Sequence, residues 1–249
     1  MDERLNARVD SPWRGEHFFR YQYVEQFIEP GDRVLDLACG EGYGTYRLSK
    51  RTSREVVGCD IAEEAVTYCQ GAWQNDNLSY RKADGTALEF PDNYFDKVVS
   101  FETIEHTTEY EAMIREFYRV LKPDGTAFIS TPNFPISSPK GYVENPYHTQ
   151  EWHLEELREI LSAVFDRVTI FGQRYSRHDG AGPTAGKLTD WFFNQRVVRR
   201  LPISLKDRVS QVTNGKPFYP QEDEFTLVSD EQGAKSCLTF FCICKKERG

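Results

Sequence analysis

Val34-Leu35-Asp36-Leu37-Ala38-Cys39-Gly40-Glu41-Gly42-Tyr43-Gly44 is a short apolar run that opens directly into a glycine-rich loop. Such a run, followed by a helical stretch near 45–50, predicts a strand–loop–helix unit. Moving outward, a strand is expected at Val56–Cys59, then a helix over 63–74 with Val66, Cys69 and Trp73 on one face. Strands follow near Ser79–Lys82 and Phe95–Phe101. A helix over 110–122 buries Met113, Ile114, Phe117, Val120 and Leu121, and Pro123-Asp124-Gly125 stops it before a strand at Thr126–Ser130. Beyond Pro132 the pattern resumes as a helix at 154–163, a strand near Val168–Phe171 and a last strand at 237–244. Near-continuous apolar strands alternating with amphipathic helices predict an α/β, doubly wound, mostly parallel sheet covered on both faces.

The 249 residues suffice for one large domain, with 39% hydrophobic and 28% charged side chains in the ordinary globular range. The expected organisation is a single domain over 1–249: an N-terminal aromatic helical lid over 1–30, a core over 30–133, a loop over 134–153 and a helical cap inserted over 175–233. A connection as long as the last is seldom structureless, and Trp191-Phe192-Phe193 suggests helices within it. A formal net charge of −8 disfavours a nucleic-acid partner. Six cysteines without disulfide rhythm read as reduced and buried, and with no secretion signal or long apolar run the expected location is the cytoplasm, with no membrane span.

In an open parallel sheet the ligand sits at the carboxyl ends of the strands, so the loop after the first strand is the place to look. Its glycines run G-x-G-x-G, not the G-x-G-x-x-G of nicotinamide sites, and Asp36 precedes them within the strand. A pyrophosphate would be repelled by such carboxylates; S-adenosylmethionine, with an ammonium and a sulfonium, suits them. Asp60, twenty residues after Gly40, is placed to accept hydrogen bonds from ribose hydroxyls, and Asp84 to accept one from an adenine amino group. Each acid also has a plainer role open to it: Asp36 as a loop anchor, Asp60 as a helix cap, Asp84 as a turn former.

Taken together, VLDLACGEGYG, VVGCDIAEEAV, ADGTALEFPDNYFDKVVSFETIEH and FYRVLKPDGTAFISTPN resemble the class I S-adenosylmethionine-dependent methyltransferases over roughly residues 30–133. The resemblance implies a Rossmann-like seven-stranded sheet with its last strand antiparallel. It implies S-adenosyl-L-methionine as cofactor and S-adenosyl-L-homocysteine as product. By the same resemblance Asp36, Ala38, Gly40 and Gly42 line the methionine side, Asp60 and Ile61 the ribose and adenine, and Asp84 and Gly85 the adenine edge. Phe101 and Glu102 complete the cofactor set.

Methyl transfer needs an aligned nucleophile and, for a hydroxyl, a base. His106, just past the fourth strand, is the candidate, with His148 after the fifth strand as its rival. The segments GEHFFRY (15–21), SFETIEH and NPYHTQEWHLEEL are similar to methyltransferases of glycan and O-antigen assembly, which implies a sugar acceptor, as a nucleotide sugar, glycan or glycolipid, touched by Arg20, Tyr21 and Tyr147. Six basic residues against two acids over 187–208, Arg199 and Arg200 among them, read either as a site for a phosphate on that acceptor or as a solvated helix face. The alternatives are an aromatic or macrolide-like natural product or quinone as acceptor, or a non-catalytic scaffold. No metal centre is expected, since His148 and His153 stand five apart without a third ligand and no Cys-x-x-Cys pair occurs. A monomer or homodimer is expected.

Overall fold

The computed structural model describes residues 13–52, 54–175, 205, 207, 208, 210, 211, 217 and 219–247. The sheet is built from β1 (Arg33–Leu37), β2 (Glu55–Asp60), β3 (Leu78–Lys82), β4 (Phe95–Phe101), β5 (Leu121–Pro132), β6 (Arg167–Tyr175), β7 (Phe225–Val228) and β8 (Thr239–Lys245). Their order is β3-β2-β1-β4-β5-β8-β6-β7. The first five strands pair in parallel, and β8 runs antiparallel between β5 and β6. The sheet is therefore Rossmann-like, as expected, with one strand more than the seven foreseen. The addition, β7, lies at the sheet edge in a segment whose four residues are all half-buried, too short and too polar on its flanks for periodicity to reveal.

Helices α1 (Arg14–Val24), α2 (Tyr43–Leu48), α3 (Glu63–Ala72), α4 (Tyr110–Val120), α5 (Phe134–Ser137) and α6 (Leu154–Ser162) occupy the connections. Along α4, Met113, Ile114, Phe117 and Val120 recur at helical spacing and are buried. They join Leu35, Leu37, Val57, Val98 and Ile129 of the strands and Leu154, Leu157 and Leu161 of α6 in one apolar cluster. The helix ends two residues before the sequence pattern suggests. Leu121 already pairs with Phe95, and the Pro123-Asp124-Gly125 turn, with Asp124 at φ 66°, becomes an irregularity inside β5. On the opposite sheet face, Phe27 packs on Phe128 and Tyr23 edge-on against Phe241, with centroids 5.3 Å apart in each pair.

The chain forms two compact units, Tyr23–Arg174 with Leu227–Gly249, and Asn6–Gln22 with Tyr175–Thr226. Within the second, Phe19 and Tyr175 both pack on the Phe225 ring, and Gly15 meets the Pro220 carbonyl so closely that no side chain fits there. Most of the 175–233 insertion, including Trp191, Phe192, Phe193, Arg199 and Arg200, lies outside the described residues. No helix among the described residues is long and apolar enough to cross a membrane.

Candidate active site

The carboxyl ends of β1 to β5 carry two groups of side chains. The first gathers around the loop after β1. Asp36, 1% exposed, accepts a hydrogen bond from Thr45 Oγ1 at 2.7 Å, tying β1 to α2 across the loop. Gly42 stands at φ 73°, and a Cβ there would lie 2.6 Å from Cys69 Sγ and 2.9 Å from the Tyr80 ring, so both backbone shape and space demand glycine. Gly40, at φ 56°, faces open space instead. Its N–H donates to Asp60 Oδ2 at 3.0 Å, while Ala62 N–H donates to Asp60 Oδ1 at 3.0 Å. Asp60 thus joins the ends of two strands and fixes the entry to α3. Beside it Ile61 is exposed by 66%, an apolar surface on the loop side of the strand ends.

Ala38, at φ 57°, is exposed and completes the turn. Asp84 is exposed and accepts from Thr86 N–H and Oγ1; these bonds hold its carboxyl below the usual carboxylate range. Gly85 is buried against Leu37 and Met113, so its lack of a side chain serves core packing. Phe101 is buried and packs at a tilt against Phe241. Glu102 leaves β4 at φ 50°, a conformation held by its N–H to Ser130 O and by Ser130 Oγ donating to its carboxylate at 2.6 Å.

The donor set is one of carboxylates, a short open glycine turn and an exposed isoleucine. Lys82 stands opposite Asp60 at the end of β3 and pairs with Glu63, outside the glycine turn. That chemistry fits a ligand with a cationic amino acid end, a ribose and an adenine, and does not fit a pyrophosphate.

The second group lies past β4 and β5. The Glu105 carbonyl accepts from Thr149 N–H at 2.8 Å and Thr149 Oγ1 at 2.9 Å, and Gln150 Nε2 donates to the Thr107 carbonyl. These bonds stitch 105–107 to 145–151 and bring the His106 and His148 rings edge to face, with centroids 4.8 Å apart. His106 Nδ1 lies 3.0 Å from the Tyr147 carbonyl. A carbonyl only accepts, so Nδ1 carries a proton, and in the neutral ring Nε2 carries the lone pair. Glu105, fully buried, accepts from Thr131 Oγ1 at 2.9 Å and stands 4.0 Å from His106 Nε2.

His148 Nδ1 lies 2.6 Å from Glu151 Oε1, and Glu151 Oε2 accepts from the hydroxyls of Ser137 and Ser138. Tyr147 N–H donates to Asn145 Oδ1, which turns Asn145 Nδ2 towards His148 Nε2 at 2.9 Å. His153, by contrast, caps α6 through its backbone N–H to Glu156 and forms no part of this group.

The structure thus brings His106 and His148 together and leaves the Tyr147 side chain 47% exposed on the same loop. Arg20 and Tyr21 belong to the second compact unit, where Arg20, 1% exposed, pairs with Glu16 at 2.7 Å. The sequence reading missed Glu105, Asn145 and Glu151. Glu105 stands beside His106 and Glu151 three residues after His148, spacings from which both were recoverable.

Fold and donor chemistry point to a Rossmann-like protein that binds a nucleoside. Comparison with known proteins narrows it. The sequence family described as Methyltransferase domain matches residues 35–129. A Mycolicibacterium smegmatis protein named "Probable S-adenosylmethionine-dependent methyltransferase" is 34% identical over 177 residues, covering 66% of this chain and 68% of that protein. Phosphoethanolamine N-methyltransferase 1 of Arabidopsis thaliana is 30% identical over 130 residues, covering 49% of this chain and 26% of that one. Among solved structures, the chain in complex with the Haloferax volcanii Trm112 methyltransferase activator superposes with a TM-score of 0.63 at 18% identity, covering 95% of this chain and 92% of that chain, a likeness of fold. This chain belongs to the S-adenosylmethionine-dependent methyltransferases, and S-adenosylmethionine is its cofactor.

Proposed function

We infer that the enzyme transfers a methyl group to a hydroxyl of a carbohydrate-like acceptor, with His106 receiving the hydroxyl proton. The observation that carries this reading is the fixed tautomer of His106, whose Nε2 lone pair stands beside a buried carboxylate at the strand ends that hold the cofactor residues. When bound, S-adenosylmethionine supplies an electrophilic methyl group on a positively charged sulfur. His106 Nε2 takes the acceptor proton as the oxygen–carbon bond forms and the sulfur–carbon bond breaks. Glu105, 4.0 Å away, stabilises the resulting imidazolium. His148, locked by Glu151 and Asn145, buttresses the His106 ring.

Support for a sugar comes from the 134–153 loop, the acceptor loop in this reading. Tyr142 and Tyr147 are exposed by 60% and 47%, rings of the kind that stack on apolar sugar faces while neighbouring amides and carboxylates bond hydroxyls. The test is incubation of the purified protein and S-adenosylmethionine with panels of nucleotide sugars, phenols and quinols, and phosphorylated amines, with methylated product read by mass spectrometry. Methylation confined to the sugar panel is expected. Methylation only of phenols or amines overturns the acceptor class.

A further inference from the structure

We propose that Glu105, His106 and His148 bind a divalent first-row transition-metal ion, with coordination positions left over for acceptor oxygens. Their ligand atoms, one from each residue, lie within 4.8 Å of one another. An ion at ~2.0–2.2 Å from nitrogen and oxygen ligands holds neighbouring ligands ~3 Å apart, so the group closes by an ångström or two. His106, with its side chain 34% exposed, has the freedom to supply that movement.

Orientation favours a cation more than distance does. Both imidazoles have Nδ1 tied to an outer acceptor, the Tyr147 carbonyl for His106 and the Glu151 carboxylate for His148. In the neutral rings Nε2 then carries the lone pair; His106 Nε2 stands 4.0 Å from Glu105, and one ring nitrogen of each histidine lies within 4.8 Å of the other and of a Glu105 oxygen. A cation at the centre of three such Lewis bases is attracted by all of them at once. Asn145 Nδ2 meets one of these lone pairs and is the group an ion displaces at His148. Behind the ligands stands a built outer shell: the Glu151 side chain, 1% exposed, is held by Ser137 and Ser138, the arrangement that fixes a metal-bound imidazole.

Two imidazole nitrogens and one carboxylate select manganese, iron, cobalt or zinc over magnesium, which prefers oxygen alone. Three protein ligands leave the sphere open, as in catalytic and unlike structural sites. The inference rests on the reading that the acceptor oxygen arrives at this edge. With the ion bound, His106 is a ligand rather than the proton acceptor, the ion lowers the pKa of the coordinated hydroxyl, and its proton passes to solvent water.

The test needs no acceptor. The whole chain, freed of metal by chelator, is titrated with Co2+ and followed by its visible ligand-field absorption, with binding heats for Mn2+ and Zn2+ measured in parallel. Saturation at one equivalent is expected, with affinity lowered at least tenfold in His106→Ala and in His148→Ala. Glu151→Gln weakens binding ~10- to 100-fold while circular dichroism stays unchanged. As a measurement independent of any variant, Mn2+ broadens two of the histidine C2–H proton resonances first, out of five histidines in the chain. Absence of saturable Co2+ binding, or native-like binding in the His106→Ala/His148→Ala double variant, overturns the site. Failure of the sugar panel with Co2+ binding intact sinks the acceptor reading alone. Full methylation in chelator without Co2+ binding sinks the metal site alone.

Discussion

The residue group around Gly40 and the group around His106, proposed for cofactor and acceptor, lie at the same edge of one sheet and are held by different means. Around Gly40 the contacts tie the glycine turn to the strands and helix beside it: Gly40 N–H donates to Asp60, Cys69 Sγ to the Gly40 carbonyl, Trp73 Nε1 to the Glu41 carbonyl and the Tyr80 hydroxyl to the Gly42 carbonyl, across gaps of 20 to 38 residues. Around His106 the contacts run between two loops some forty residues apart, as in His106 to Tyr147 and Thr149 to Glu105. The first arrangement follows from strand register and is shared by any chain that folds this way. The second depends on how one excursion of chain packs against another, which leaves it open to change of substrate.

That contrast breaks most readily at His106. Replacing it with alanine is expected to slow methyl transfer ~100-fold or more, the usual worth of a positioned acid–base group, while calorimetry finds S-adenosylmethionine affinity within about twofold of native. A large loss of cofactor affinity would show that the two groups are one. Asp60→Ala tests the converse. It removes the carboxylate that braces the Gly40 and Ala62 amides, so cofactor affinity is expected to fall ~10- to 100-fold, the worth of about one charge-assisted hydrogen bond, measured by the same titration.

A smaller effect sharpens the comparison from the side of stability. Thr45→Val deprives the buried Asp36 carboxylate of a donor and is expected to lower unfolding free energy by about 1–3 kcal/mol in urea titration, whereas Thr149→Val on the exposed acceptor loop changes it by less than ~1 kcal/mol.

The smallest is a pH effect on the thiols beside the cofactor loop. Burial pushes the Cys59 thiol up to about 12, and a hydrogen bond with Cys69 together with burial raises Cys39. A raised folded value means the native state keeps the proton longer than the unfolded chain. The associated stability is complete below about 9 and is lost as pH climbs towards about 12. Unfolding curves at pH 8 and pH 10.5 are expected to show the decline, and thiol reagents to find all six buried cysteines inert until the chain unfolds.

The positions proposed for the cofactor could be picked out in the sequence because they lie at the ends of regular strands. A strand ending in Asp36, glycines at 40 and 42 and an acid at Asp60 sit at spacings that strand–helix order alone translates into position. Asp36 and Asp60 also fill the plainer roles weighed for them, as loop anchor and helix-entry brace. The acceptor half was legible only in pieces. His106 and His148 were visible as residue types at strand ends, but no periodicity signals that Glu105 and Thr149 join their loops. Asn145 looked like one more polar residue in a loop, and its meaning comes from Tyr147 N–H fixing which way its amide points. The strand at Phe225–Val228 was missed for a related reason: a short edge strand buries too little to impose a pattern on its sequence.

The acceptor loop also closes on itself at its base. Asn133 bridges to Trp152, Phe134 N–H donates to the Trp152 carbonyl at 3.1 Å, and the Asn133 amide clasps the carbonyls of Lys235 and Cys237 at 3.0 and 2.7 Å. Everything between 134 and 151 is therefore an excursion that leaves and rejoins the framework at one knot. Such a segment is a cassette in form: a change of its length or sequence leaves every ladder bond of the sheet where it is.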